Sequence, residues 1–209
     1  MNIKRYIATI ILAIVLLLNF SCTDWLDVKP VDRMSEDQLY STEAGFRQAL
    51  NGIYVELNHA DLYGDELLVN TVEILAQRYK FSSMGTLTNQ YHLAEFDYTT
   101  DYAKKCGSRI WEKAYALIAN VNKLLKNADS HKDLFTGDSY DLITGEAYAL
   151  RAFLHFDLLR LFGPVYKTHK EDKSICYNTQ FSLSGSDLLP ASKVMEYVIA
   201  DLKEAEDRL

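Results

Sequence analysis

Gly145-Glu-Ala-Tyr-Ala-Leu-Arg-Ala-Phe-Leu-His-Phe-Asp-Leu-Leu-Arg-Leu-Phe-Gly163, with Pro164 directly after it, decides the fold. At 3.6 residues per turn, Ala147, Leu150, Leu154, Leu158 and Leu161 run along one flank of a helix, and Tyr148, Ala149, Ala152, Phe156 and Leu159 along the opposite one. The polar residues fall in the seams, Arg151 and His155 in one and Glu146, Asp157 and Arg160 in the other. A surface helix shows one apolar stripe, so two stripes place this helix between neighbours, as in a bundle or a stacked helical array. Gly163-Pro164 stops it. Gly145 costs about 1 kcal/mol against alanine in a helix, so its presence predicts the close approach of another backbone.

Two further helices flank this one. Arg109 to Leu125 carries Trp111, Tyr115, Ile118, Asn122 and Leu125 on one stripe, with Ala114, Leu117, Val121 and Leu124 beside it. Asn122 on that stripe predicts a buried amide bonded to a neighbouring loop backbone, since an unpaired one would cost about 1–3 kcal/mol. The last helix is expected to be capped by Ser192 and to bury Val194, Val198, Leu202, Ala205 and Leu209. Helices at 109–126, 140–162 and 192–209 read as tetratricopeptide-like stacked pairs, although the strict consensus of about 34 residues is absent. The fold class is therefore all-α in the main, with long irregular loops.

Upstream, Ser35-Glu-Asp-Gln38 has the form of a capping box, with Met34 and Leu39 placed as its staple. Ser41 or Thr42 caps the next helix, whose stripe is Phe46, Leu50, Ile53 and Leu57. Leu67 to Tyr79 reads as a third helix through Leu68, Val72, Leu75 and Tyr79. From Lys80 to Asp101 no helical period persists, and Phe81, Tyr91, Phe96, Tyr98 and Tyr102 lie among Ser, Thr, Asn and Gly. The stretch reads as a long loop or short extended pieces. Loops of this length are uncommon unless functional, which makes Phe81, Tyr91, Phe96 and Tyr98 the candidate ligand-binding residues. Aromatic side chains that merely pin the loop to the core are the competing explanation. Tyr166 to Leu189 is polar and irregular.

The chain begins with an export signal. Lys4 and Arg5 precede an almost wholly apolar run from Tyr6 to Leu18, and Asn19-Phe-Ser-Cys22 follows. The run is shorter than the roughly 20 apolar residues that span a bilayer, and a cysteine after a small residue is what lipoprotein processing requires. Residues 1–21 then form the signal peptide, Cys22 is the lipidated residue, and 22–209 is the folded domain. More than one acyl chain makes such an anchor stable, at about 0.8 kcal/mol for each buried methylene. Loss of residues 1–21 removes two bases and no acid, taking the net charge from −7 to −9.

That charge, with no Lys/Arg run beyond short pairs, argues against nucleic acid as a partner. The three cysteines form no CxxC. With Cys22 acylated, Cys106 and Cys176 are left as a conceivable pair. No HExxH, GxSxG, P-loop or GxGxxG occurs, and the five histidines are scattered. No cofactor, metal or catalytic site is therefore expected. Glu146, Asp157 and Arg151 read instead as hydrogen-bond and ion-pair partners between helices, with Asp157–Arg160 the simplest pair.

Four blocks resemble the SusD/RagB family of outer-membrane nutrient-binding lipoproteins. They are the Gly145–Gly163 helix, Trp111-x3-Tyr115-x6-Asn122, Thr42-Glu-Ala-Gly-Phe-Arg-Gln-Ala-Leu-Asn-Gly-Ile-Tyr54, and Ser21-Cys-Thr-Asp-Trp-Leu-Asp-Val-Lys-Pro30. The resemblance implies the helix-rich amino-terminal part of a cell-surface protein that binds glycans and delivers them to a TonB-dependent, SusC-like transporter. Members are more than twice this length, so the carboxy-terminal half is expected to be missing, consistent with an apolar stripe that runs out at Leu209. An interaction module that docks on the transporter without sugar, or an inert fragment, are the alternatives.

Overall fold

The computed structural model describes residues 34–85, 87–181 and 185–209. The signal segment, Cys22 and Trp25 lie outside them. From Glu36 onward the chain packs as one unit. Its helices are α1 (Glu36–Leu39), α2 (Glu43–Leu57), α3 (Thr71–Leu75), α4 (Thr88–Ala94), α5 (Asp101–Ser130), α6 (Ser139–Phe162), α7 (Tyr166–His169) and α8 (Ala191–Glu206). No strand forms among the described residues; only an isolated antiparallel bridge joins Lys173 to Pro190.

Helix α6 is the centre, as its two apolar flanks require. It runs antiparallel to α5, since Trp111 meets Phe162, Asn122 meets Arg151 and Asp129 meets Tyr140. It runs antiparallel to α8 as well, with Arg151 on Asp201 and Thr144 on Arg208. Three helices thus stack as consecutive arms of a tetratricopeptide-like array, and α2 lies across the other side of α5 and α6. One core cluster gathers Ile110, Leu117, Ile118, Leu154, Leu158, Val194 and Val198 between α5, α6 and α8. Another gathers Phe46, Leu50, Ile53, Leu124, Ile143 and Leu150 between α2, α5 and α6. Each such side chain contributes about 1.5–3 kcal/mol on full burial. Gly163 closes α6 because a Cβ there would stand 2.4 Å from the Leu159 carbonyl oxygen.

Several expectations need correction. Phe156, read as part of an apolar flank, is 36% exposed, and Phe153 is 43% exposed. Gly145 is approached by the side chains of Arg208 and Leu209, not by backbone. Helix α8 starts at Ala191 with Pro190 in the cap position, and the Ser192 hydroxyl instead donates to Glu171. Leu202 is exposed, and Leu209 stays largely exposed apart from its contact with Gly145, while Asp201 is buried, because the Arg151 guanidinium needs a carboxylate there.

The predicted helix over Leu67–Tyr79 is reduced to α3. Residues 59–70 coil instead into successive turns around the buried Glu66, which accepts from Thr71 at 2.5 Å and pairs with Arg109. Gln77, with φ of 60°, then ends the run. In the predicted loop Lys80–Asp101, α4 forms and is closed by Phe96 with φ of 59°. Thr100 accepts a hydrogen bond from the Ala103 amide and starts α5 eight residues before Arg109. Cys106 and Cys176 are both free thiols.

Candidate functional site

The turn that precedes α5 presents Tyr98. Asp97 accepts hydrogen bonds from the Thr99 amide at 3.0 Å and hydroxyl at 2.6 Å. These bonds hold the Asp97 carboxyl below the usual carboxylate range. Thr100 caps the helix immediately afterwards. Tyr98 is fixed at its backbone and, as a residue, 58% exposed.

Where α3, α4, the first half of α5 and the end of α6 meet, a half-open cavity of about 550 Å³ has Tyr98 on its wall. Trp111 and Phe162 supply two more aromatic walls, their rings at 5.1 Å and nearly perpendicular, an edge-to-face arrangement that fixes both. Tyr115 also packs on the Trp111 ring system, at 4.9 Å and tilted. Leu75, Leu93, Ile110 and Leu161 complete the apolar lining; Thr71, Ser108, Lys104 and Glu112 supply polar groups. The volume is in the range of small-molecule sites, which combine apolar walls with a few polar groups.

Of the four candidates, only Tyr98 lines this cavity. Phe81 packs on the small cluster of Ile74, Leu93, Ala94 and Ala103, with Tyr79 edge-on at 6.0 Å, so it pins the loop. Tyr91 is half-buried beside His92. Phe96 is 51% exposed and is not part of the lining. Spacing puts Trp111 on a helix stripe, and Phe162 belongs to neither apolar flank of its helix. Both are partly buried against the core where the end of α6 meets α5, which periodicity alone does not reveal.

A second polar system holds the segment after α6. Arg151, buried, donates from Nε and Nη2 to the two oxygens of Asp201, each at 2.7 Å, and from Nη1 to the Asn122 side-chain oxygen at 2.9 Å. Asn122 donates to the Asn178 carbonyl at 2.8 Å, the loop-backbone bond its position predicts. The Tyr177 hydroxyl donates to Asp201 at 2.5 Å, and its ring stacks on His155 at 3.9 Å. His155 accepts from the Asn178 amide at Nε2, so its Nδ1 carries the proton toward the Arg151 carbonyl. Asp157 takes Arg160 at 2.7 Å, as expected, and also the Tyr63 hydroxyl at 2.7 Å. Among the described residues no group of three or more His, Cys, Asp or Glu is placed to hold a metal ion.

Stacked antiparallel helices with an aromatic recess at one end define a tetratricopeptide-like helical array. Residues 24–208 match the SusD-like family, described as starch-binding and associating with the outer membrane, and the chain belongs to that family. It is 27% identical to SusD-like protein P2 of Formosa agariphila over 99% of this chain and 38% of that one. To SusD-like protein P25 of the same organism it is 27% identical over 69% of this chain and 28% of the relative. Among solved structures, a SusD superfamily protein from Bacteroides fragilis superposes with a TM-score of 0.66 at 18% identity, over 79% of this chain and 39% of that one. A putative sugar binding protein from Bacteroides vulgatus gives 0.64 at 24% identity, over 80% and 37%. The chain thus spans less than two-fifths of the length of these relatives.

Proposed function

We propose that this chain captures glycans at the outer membrane, with the Tyr98–Trp111–Phe162 recess as its sugar-contacting surface. The arrangement of these three aromatic rings carries the reading. A pyranose presents a face of C–H groups that packs on an aromatic ring while its hydroxyls stay available to groups such as Thr71, Ser108, Lys104 and Glu112. Membership of a family described as starch-binding supports it. Cys22 is the lipid-bearing residue that holds the domain outside the bilayer, and a SusC-like TonB-dependent transporter receives the ligand. No helix among the described residues is long and apolar enough to cross a membrane.

Affinity electrophoresis in gels containing different polysaccharides tests the reading. Retardation is expected, and Trp111→Ala and Tyr98→Ala should each weaken it by about tenfold, equivalent to roughly 1.4 kcal/mol. Migration unchanged by every polysaccharide would reject sugar capture. A second reading, docking on the transporter without sugar, is favoured by the exposed Leu142, Phe153 and Phe156 on the outward side of α6. Co-purification with a barrel protein but no retardation in any gel would select it.

A further inference from the structure

Trp111 does not belong to one recess alone. It also lines a neighbouring one of about 220 Å³, together with Tyr115, Ala119 and Asn122 of α5 and Asn178 and Gln180 of the segment after α7. The α5 residues that line the two recesses include Lys104, Ser108, Trp111, Tyr115, Ala119 and Asn122. Their spacing of four, three, four, four and three places them on a single stripe of the helix. At 1.5 Å per residue that stripe is about 27 Å long, with Trp111 near its middle.

We propose that the two recesses form one groove along α5 that takes an unbranched oligosaccharide, with Trp111 shared by adjacent sugar positions and Asn178 and Gln180 contacting hydroxyls at the second end. This deepens the glycan reading above and rests on it. The second recess is built for such contacts. Its wall is held in place by the Tyr115 hydroxyl on the Cys176 carbonyl at 2.8 Å, Asn122 on the Asn178 carbonyl, and Arg151 on the Thr179 carbonyl at 3.4 Å. Asn122 is engaged in that support through both its oxygen and its nitrogen, whereas the Gln180 amide makes no hydrogen bond to any described residue. The uncharged lining of the second recess, aromatic rings and amides with the Cys176 thiol, suits a neutral polyol. An extended peptide would look for a free strand edge, and α5 satisfies its own backbone.

The test is calorimetry on the full chain in detergent, with maltose-, cellobiose- and xylobiose-based ladders from disaccharide to heptasaccharide. Within the ladder that binds, affinity should rise at least about tenfold with length and then level off. Gln180→Ala should weaken the long members about threefold to tenfold, the loss of one hydrogen bond, and leave the disaccharide unchanged. Trp111→Ala should weaken both. Equal affinity for short and long members, with Gln180→Ala silent on the long ones, would overturn the extended groove and leave the single recess standing. Absence of heat with every ladder and with polysaccharide would reject the glycan reading itself, and the groove with it.

Discussion

Arg151 and Asp201 form a two-pronged ion pair across the α6–α8 interface, both hydrogen bonds at 2.7 Å and both side chains at most 10% exposed. The pair explains why a helix with two apolar flanks carries an arginine in its seam. It locks α8 in register and, through Asn122 and Tyr177, fixes the segment that walls the second recess. Removing one partner leaves a buried charge uncompensated, which costs about 3–5 kcal/mol. Asp201→Ala and Arg151→Ala should each lower the unfolding free energy measured in urea by that much, whereas Arg151→Met combined with Asp201→Leu should recover a large part of the loss. Additive single and double losses would show that the two side chains act independently.

His155 makes stability fall in mild acid. Burial among α5, α6 and the Tyr177 segment pushes its pKa down to about 4 from 6.5, the nearby Arg151 charge also lowering it. Above pH 6.5 the ring is neutral whether the chain is folded or not. Below it the unfolded chain takes up a proton that the folded chain refuses until about pH 4. Stability should therefore drop by about 3 kcal/mol across that window. Denaturation midpoints at pH 7.5 and 5.0 measure most of it before the carboxylates titrate, and His155→Gln should flatten the difference. An equal slope in that variant would place the acid sensitivity elsewhere.

The sequence disclosed the helices whose apolar residues recur often enough to mark a face, and lost those whose ends are set by single contacts. Trp111 to Leu125 and Ala147 to Leu161 were legible because their stripes are dense. The first turns of α5 were not, since Ala103 and Cys106 are sparse and small, and the Thr100 cap sits among other polar residues. Helices α3 and α4 are too short for a period, and left-handed Gln77 and Phe96 terminate them where glycine would ordinarily signal a stop. The loop drew attention to Tyr98, which the structure places on the wall of the recess. Trp111 had only core spacing to go on and Phe162 lay on neither flank, and the difference between a buried and a half-open stripe depends on what packs beyond it.

Two glycines of α2 separate close approach from mere permissiveness. A Cβ on Gly45 would stand 1.7 Å from the Leu39 carbonyl oxygen, a backbone atom at the end of α1, so the α1–α2 corner tolerates no side chain there. Around Gly52 nothing lies within 4 Å. Gly45→Ala should lower stability by about 2 kcal/mol or more through strain, and Gly52→Ala should raise it by up to about 1 kcal/mol through helix propensity. Thermal melts of the two variants, followed by circular dichroism, compare them directly. A shift of the same sign in both would contradict the corner geometry.

Trp111 gives the glycan reading its most direct optical test. The chain holds two tryptophans, Trp25 and Trp111, so Trp25→Phe leaves emission that comes from the recess alone. Trp111 is partly buried between Tyr115 and Phe162 and lines the wall of both cavities. A sugar ring laid on its face replaces water beside the indole, so titration of a binding oligosaccharide should shift the emission of Trp25→Phe to shorter wavelength, saturating at the calorimetric affinity. In Trp111→Phe the aromatic wall is retained and the reporter is lost. That variant should still bind, about threefold to tenfold more weakly given the smaller π surface, with no wavelength shift from the remaining Trp25. A shift that persists in Trp111→Phe and vanishes in Trp25→Phe would move the ligand to the amino-terminal segment and away from the α5 groove.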